Sequence, residues 1–192
     1  MIIWINGAFG AGKTQTAISL RYRLPNAFIY DPEKAGFYIR GNIPNSMQKP
    51  DFQQHKLWRS IVYEHLAYMA AKTEDVIIVP MTITEPSYYE EIIGQLRKEG
   101  HQVYHLVLIA SEETLRVRLA KRGNKQNSWA AQQIQRCVQS LSNPIFEKKL
   151  TTDNMSIIEV VEAIGRQKGL QLQNDQRSWW KKRWPRVTSR WR

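Results

Sequence analysis

Cysteine is nearly absent from this 192-residue chain, which has Cys137 alone. No internal disulfide can form, so a disulfide scaffold is excluded and a reducing compartment is expected. A buried bystander is the ordinary role of such a lone thiol. No run of about 18 apolar residues occurs, so no segment is expected to cross a membrane. The first residues, Met1-Ile2-Ile3-Trp4-Ile5-Asn6, have no basic leader and do not read as a signal peptide, which makes a cytoplasmic protein the expectation. His55, His65, His101 and His105 lack metal-ligand spacing, and neither a Ser-His-Asp arrangement nor a dinucleotide fingerprint is present. Acidic residues are scarce as well: 17 Asp and Glu against 28 Lys and Arg leave a net charge of +11. Aromatic residues are plentiful, with 7 Trp, 8 Tyr and 5 Phe, which excludes a disordered chain. The charge implies a polyanionic partner: nucleic acid, a phosphorylated small molecule or an anionic membrane surface.

The surplus is unevenly spread. Residues 177–192 hold seven basic residues (Arg177, Lys181, Lys182, Arg183, Arg186, Arg190 and Arg192), no acidic one, and the tryptophans Trp179, Trp180, Trp184 and Trp191. Only +4 of the +11 remains for residues 1–176. Two units are expected: a body over residues 1–170, and a basic, tryptophan-rich tail over 171–192 that begins with the polar stretch Gln171–Gln176. Basic charge and indole together suit the headgroup region of an anionic bilayer, although Pro185 interrupts any regular amphipathic helix. The modest charge of the body argues against a nucleic-acid partner.

The body alternates between two periodicities. Short β-prone runs at Ile2–Asn6, Ala27–Tyr30, Val76–Val79, Val103–Ala110 and Lys149–Thr152 are separated by helical patterns. Those patterns are Lys13–Leu24, the spacing Trp58, Ile61, Val62, Leu66, Met69, then Thr84–Glu99, Ser111–Arg122 and Ser128–Leu141. Ser156 with Glu159 predicts a capping box for a last helix to about Lys168. Residues 41–56 read as a loop. Strand and helix in alternation predict an α/β fold, a parallel sheet in three layers with right-handed crossovers.

Between the first strand and first helix, Gly7-Ala8-Phe9-Gly10-Ala11-Gly12-Lys13-Thr14 matches G-x-x-x-x-G-K-[ST]. Glycines let successive N–H groups turn inward around a phosphate, and the helix beginning at Lys13 directs its N-terminal dipole at the same anion. Lys13 is expected on the β- and γ-phosphates of ATP, and the Thr14 hydroxyl on Mg²⁺. The central strand runs into Pro80-Met81-Thr82 without a metal-binding Asp. Asp31, after the second strand, is the candidate to organise a Mg²⁺-bound water or to accept a substrate proton; capping a helix with Pro32 at its start is its alternative role. Glu33 is a weaker candidate. Arg118 and Arg122 share a helix face before a Gly/Asn/Lys loop, as in a lid that brings guanidinium groups to a transferring phosphate, with Arg136 expected in the same cleft. Asp51, Phe52, Trp58 and Arg59 mark an acceptor-binding region between residues 40 and 59, with Trp58 equally at home in a core.

Several blocks, taken together, resemble the bacterial tunicamycin-resistance protein family: Trp4–Ala17 through the glycine-rich loop, Tyr30-Asp31-Pro32-Glu33-Lys34, Val79-Pro80-Met81-Thr82-Ile83, Asn127-Ser128-Trp129-Ala130-Ala131 and Pro144-Ile145-Phe146-Glu147. The likeness runs along about residues 1–165. It implies a P-loop fold of the small-kinase type, ATP and Mg²⁺ as cofactors, and a cytoplasmic protein that confers resistance to tunicamycin and associates with the membrane's inner face through its C-terminal segment. Phosphorylation of the antibiotic and ATP-dependent binding of it are both compatible with the resemblance. The alternative is a P-loop kinase of a small metabolite, a sugar acid or a nucleoside.

Overall fold

Ile3 and Ile5 bury themselves on one side of the first strand, and Ile2 and Trp4 on the other. A strand apolar on both faces needs a layer of helices above and below it. The computed structural model describes residues 1–125, 127–175 and 177 and has this arrangement. In chain order the elements begin with β1 (Ile2–Gly7), α1 (Lys13–Arg23), β2 (Ala27–Ile29), α2 (Glu33–Gly41), α3 (Lys56–Lys72) and β3 (Val76–Pro80). Next come α4 (Pro86–Tyr89), a π-helical turn (Glu90–Gly94), α5 (Gln95–Lys98), β4 (Val103–Ile109) and α6 (Glu112–Lys121). The chain continues through α7 (Trp129–Gln132), α8 (Ile134–Leu141), β5 (Lys149–Thr151) and α9 (Ile157–Lys168).

The five strands form one parallel sheet in the order β2-β3-β1-β4-β5. Residues of α1, α6, α8 and α9 cover the Ile3/Ile5 face, while α2, α3 and the 86–98 segment cover the Ile2/Trp4 face. β1 is therefore central, and its C-terminal end opens into the glycine-rich loop. The predicted capping box at Ser156 and Glu159 is present. Among the described residues no helix is long and apolar enough to cross a membrane.

Three local features depart from the sequence pattern. The helix α2 has no counterpart there; its Gly36 and Gly41 weaken the periodicity, but Gly36 is where the Phe52 ring packs, leaving no room for a Cβ. The predicted Ser128–Leu141 helix breaks at Gln133, so that Ile134, Cys137 and Leu141 face the interior while Trp129 stays outside. The predicted Thr84–Glu99 helix is interrupted by the π-helical turn. Beyond α9, Leu172 packs on Gly165, and Gln173 exchanges two hydrogen bonds with Arg23, each 2.8 Å. Arg177 pairs with Asp175 at 2.6 Å and lies over the Tyr22 ring at 4.6 Å. The remainder of the predicted membrane-binding tail, 178–192, lies outside the described residues.

Candidate functional site

Every part of the site is delivered by a C-terminal strand end, where ligands bind in open parallel sheets. Backbone geometry makes the first part. Gly10 and Gly12 have φ of 89° and 96°, a region hostile to other residues. A Cβ on Gly10 would lie 2.8 Å from the Leu115 carbonyl oxygen, so the loop and α6 approach each other backbone to backbone. The loop is braced from below by Asn6, whose Oδ1 accepts from the Gly7 N–H (2.8 Å) and the Ile83 N–H (3.0 Å). Asn6 Nδ2 donates to the Ile83 carbonyl (2.8 Å) and lies 3.1 Å from His105 Nε2. His105 is buried between Tyr89 and Phe146, and its Nδ1 has no hydrogen-bond partner. Burial first, and then the charge of Arg97, pull its pKa down to about 3.

Lys13 folds back over the loop, donating to the carbonyls of Gly7 (2.8 Å) and Ala8 (3.0 Å) and lying 5.5 Å from the Phe9 ring centroid. Burial pulls its pKa down to about 8. Thr14 begins the first turn of α1, partly exposed. Thr82, at the strand end that lacks an Asp, donates its hydroxyl to the Gly7 carbonyl at 2.8 Å. At the end of β2, Asp31 Oδ1 accepts from the Glu33 N–H at 3.1 Å, so the helix-capping role is in place. Burial, followed by the Asp31 carboxylate, pushes the Glu33 carboxyl up, while Lys13 opposes that rise. Glu33 therefore faces the same space as Lys13, more than an exposed first-turn residue would.

Two cavities flank the loop. One, of about 310 Å³, lies between Gly10–Gly12, the Arg118 and Arg122 region, and Thr152, Met155 and Ile157. Arg118 donates to the Thr152 hydroxyl (3.2 Å) and to the Thr152 and Asp153 carbonyls, which tethers it to the segment after β5. Burial and then the like charge of Arg118 pull the pKa of Arg122 below its ordinary value.

The other cavity, of about 260 Å³, is lined by Asp51, Gln53, Thr84, Glu85, Tyr88, Trp129, Gln133 and Arg136. Arg136 stands here, 3.8 Å from Glu85, not beside Arg118 as expected. Trp129 on this wall meets the loop's Phe9 edge to face, with centroids 5.0 Å apart, so the loop touches both cavities. Of the sequence candidates between 40 and 59, Asp51 lines the cavity. Trp58 is a fully buried core residue whose indole donates to the Pro32 carbonyl at 3.0 Å. Phe52 packs beneath, against Trp58 and Arg40. Arg59 lies behind Tyr88, 4.3 Å from its ring centroid, paired to Glu91 at 2.6 Å. Glu85, Tyr88, Trp129 and Gln133 carry no site signal in the sequence; only the Trp129 block stands out, as part of the family resemblance. Cys137 is buried, and burial pushes its thiol up, as a bystander's would be. Among the described residues no cluster of His, Cys, Asp and Glu could hold a metal by itself.

Residues 2–144 match the family model described as an AAA domain. No curated protein matches in sequence. Among solved structures, the tunicamycin resistance protein of Deinococcus radiodurans is 31% identical, with a TM-score of 0.77 over 90% of this chain and 97% of that one. A sugar kinase from Janibacter is 16% identical, with a TM-score of 0.62 over 88% of this chain and 94% of its own. The shikimate kinase of Bacteroides thetaiotaomicron is 18% identical, with a TM-score of 0.60 over 88% and 99%. The last two share the P-loop kinase-like fold.

Proposed function

The chain belongs to the AAA-domain family and to the tunicamycin-resistance protein family, and from that premise we propose that it binds ATP with Mg²⁺ and acts on tunicamycin, a nucleoside antibiotic, at the inner face of the membrane. The observation that carries this reading is the placement of one loop between two cavities, with Phe9 reaching the wall of the second.

The loop residues Gly7, Ala8, Phe9, Gly10, Ala11, Gly12, Lys13 and Thr14 fit a triphosphate: left-handed glycines, N–H groups free of Cβ cover, and one ammonium. Lys13 exchanges its two carbonyl partners for phosphate oxygens, and the Thr14 hydroxyl is offered to Mg²⁺. The nucleotide supplies an activated phosphoryl group. The nucleotide base occupies the 310 Å³ cavity, and Arg118 gives up its Thr152 and Asp153 partners wherever it turns to phosphate. Asp31 and Glu33 face the ammonium from the end of β2. Asp31 orients a metal-bound water, and a carboxylate of this pair takes the proton from an acceptor hydroxyl. The acceptor ligand fills the 260 Å³ cavity. The tail from Arg177 to Arg192 holds the protein at an anionic bilayer, each basic side chain contributing about 1 kcal/mol or less.

Mass spectrometry of tunicamycin incubated with protein and Mg²⁺-ATP tests the chemistry: phosphorylation adds one phosphoryl group, whereas sequestration retains the drug unmodified. Protection of cells by a Lys13→Ala variant would overturn both. Equal sedimentation with anionic liposomes before and after removal of residues 171–192 would overturn the membrane role. The similarity to sugar and shikimate kinases favours a second reading, a metabolite kinase, which is supported if a common sugar acid or nucleoside drives ADP release.

A further inference from the structure

Building on the acceptor cavity proposed above, we propose that Glu91 sets the charge class of its ligand. By holding Arg59 behind the cavity wall, Glu91 reserves the site for an uncharged, polyhydroxylated ring and turns carboxylate-bearing ligands away.

Arg59 is the strongest cation near this cavity that is not committed to solvent. Its side chain is only 10% exposed. Its Nε donates to Glu91 Oε2 at 2.6 Å, one terminal nitrogen donates to the Gln53 carbonyl at 2.6 Å, and the guanidinium lies behind Tyr88. Gln53 and Tyr88 line the cavity on their other sides. The guanidinium is thus one side chain away from the ligand space but already neutralised. A buried arginine needs such a partner, and the partner removes its capacity to take an anion.

The remaining lining carries the opposite bias. Among the described residues Arg136 is the one cation lining the cavity, and Glu85 stands 3.8 Å from it. Asp51 adds a second carboxylate, held in place by the Gln53 N–H at 2.9 Å. A ligand carboxylate would meet more negative charge than positive. Sugar hydroxyls, in contrast, donate to Asp51 and Glu85 and accept from the Gln133 amide and Arg136. Trp129 and Tyr88 provide flat apolar faces for the C–H side of a ring. The cavity's volume, about 260 Å³, suits one such ring.

The test uses two sugars that differ in one group, methyl β-D-glucopyranoside and methyl β-D-glucopyranosiduronate, titrated calorimetrically into the full chain. The wild-type protein is expected to bind the neutral glucoside at least about tenfold more tightly, the value of one charge-assisted contact. In Glu91→Gln the freed guanidinium raises affinity for the glucuronide about tenfold and leaves the glucoside within about twofold. Adding Arg59→Met to that variant abolishes the gain. Should Glu91→Gln not fold, Glu91→Asp, with its reach shortened, raises glucuronide affinity by a smaller factor. Equal binding of both sugars by the wild type, binding of neither, or a folded Glu91→Gln with unchanged preference overturns the proposal. Mg²⁺-ATP binding on the same samples reads the proposed function separately. Its loss with sugar selectivity intact overturns that reading alone; its presence without selectivity overturns this one.

Discussion

The two cavities beside the glycine-rich loop are built on different principles. The 310 Å³ cavity is framed by backbone: left-handed glycines, carbonyls of Thr152 and Asp153, and an N-terminal helix turn, with cationic side chains at its edge. The 260 Å³ cavity is framed by side chains of mixed charge from three separated segments, 50–54, 84–88 and 129–136. Backbone framing takes whatever carries phosphate and is indifferent to most substitutions. Side-chain framing can be retuned one residue at a time, as a site for a chemically particular ligand requires.

That contrast is broken most directly at Lys13. Lys13→Ala is expected to lower ATP affinity by more than about hundredfold, by loss of a charge-assisted contact in a partly desolvated site, with sugar binding unchanged. Equilibrium dialysis with labelled ATP measures it, and equal losses in both cavities would erase the distinction. Next in size is the shared support beneath both. The pKa of His105 is about 3 in the folded protein and ordinarily 6.5, so on acidification the unfolded chain takes its proton first. Stability from this group is intact above pH 6.5 and falls between 6.5 and 3, by about 3 kcal/mol at pH 4. Urea denaturation at pH 7 and pH 4, with His105→Leu flattening the difference, checks this.

Smaller effects separate the cavities again. Trp129→Ala is expected to weaken glucoside binding about tenfold while ATP binding changes by less than about twofold; calorimetry on one sample reads both. Smallest is the alkaline response. The Lys13 pKa is about 8 in the folded protein and ordinarily 10.5. Its charge is lost above pH 8, and ATP affinity falls severalfold by pH 9 without loss of glucoside binding. Fold stability moves the other way, rising between about pH 8 and 10.5, because the unfolded chain retains that proton longer.

The same division explains how much of the molecule is legible in the chain. The three-layer sheet and the loop emerge from local patterns: β-branched runs, glycine spacing, and a Ser156/Glu159 cap that needs only four residues. Arg118 and Arg122 are legible because they lie within one helical stretch, next to the loop that contacts α6. The acceptor cavity is legible only at Asp51 and in outline at Arg136. Tyr88 and Trp129 are 41 positions apart and meet only after β4 and α6 have been threaded between them. Trp58 and Phe52 show the converse: aromatic character near a loop signals a binding site and a core equally, and only burial separates them. The unpredicted α2 begins at Asp31-Pro32, where the capping role and the proposed chemical role use the same carboxylate.

The π-helical turn at Glu90–Gly94 also governs how this protein tolerates changes in length. Such a turn accommodates one residue more than an α-helical turn would. Deleting a single residue there rewinds the segment and rotates its C-terminal half by roughly 100° relative to its N-terminal half. Glu91 and the buried Ile92, Ile93 and Leu96 then cannot all keep their partners on α3 and the sheet. Substitutions along this helix alter the cavity by degrees, whereas an insertion or deletion puts its two halves out of phase.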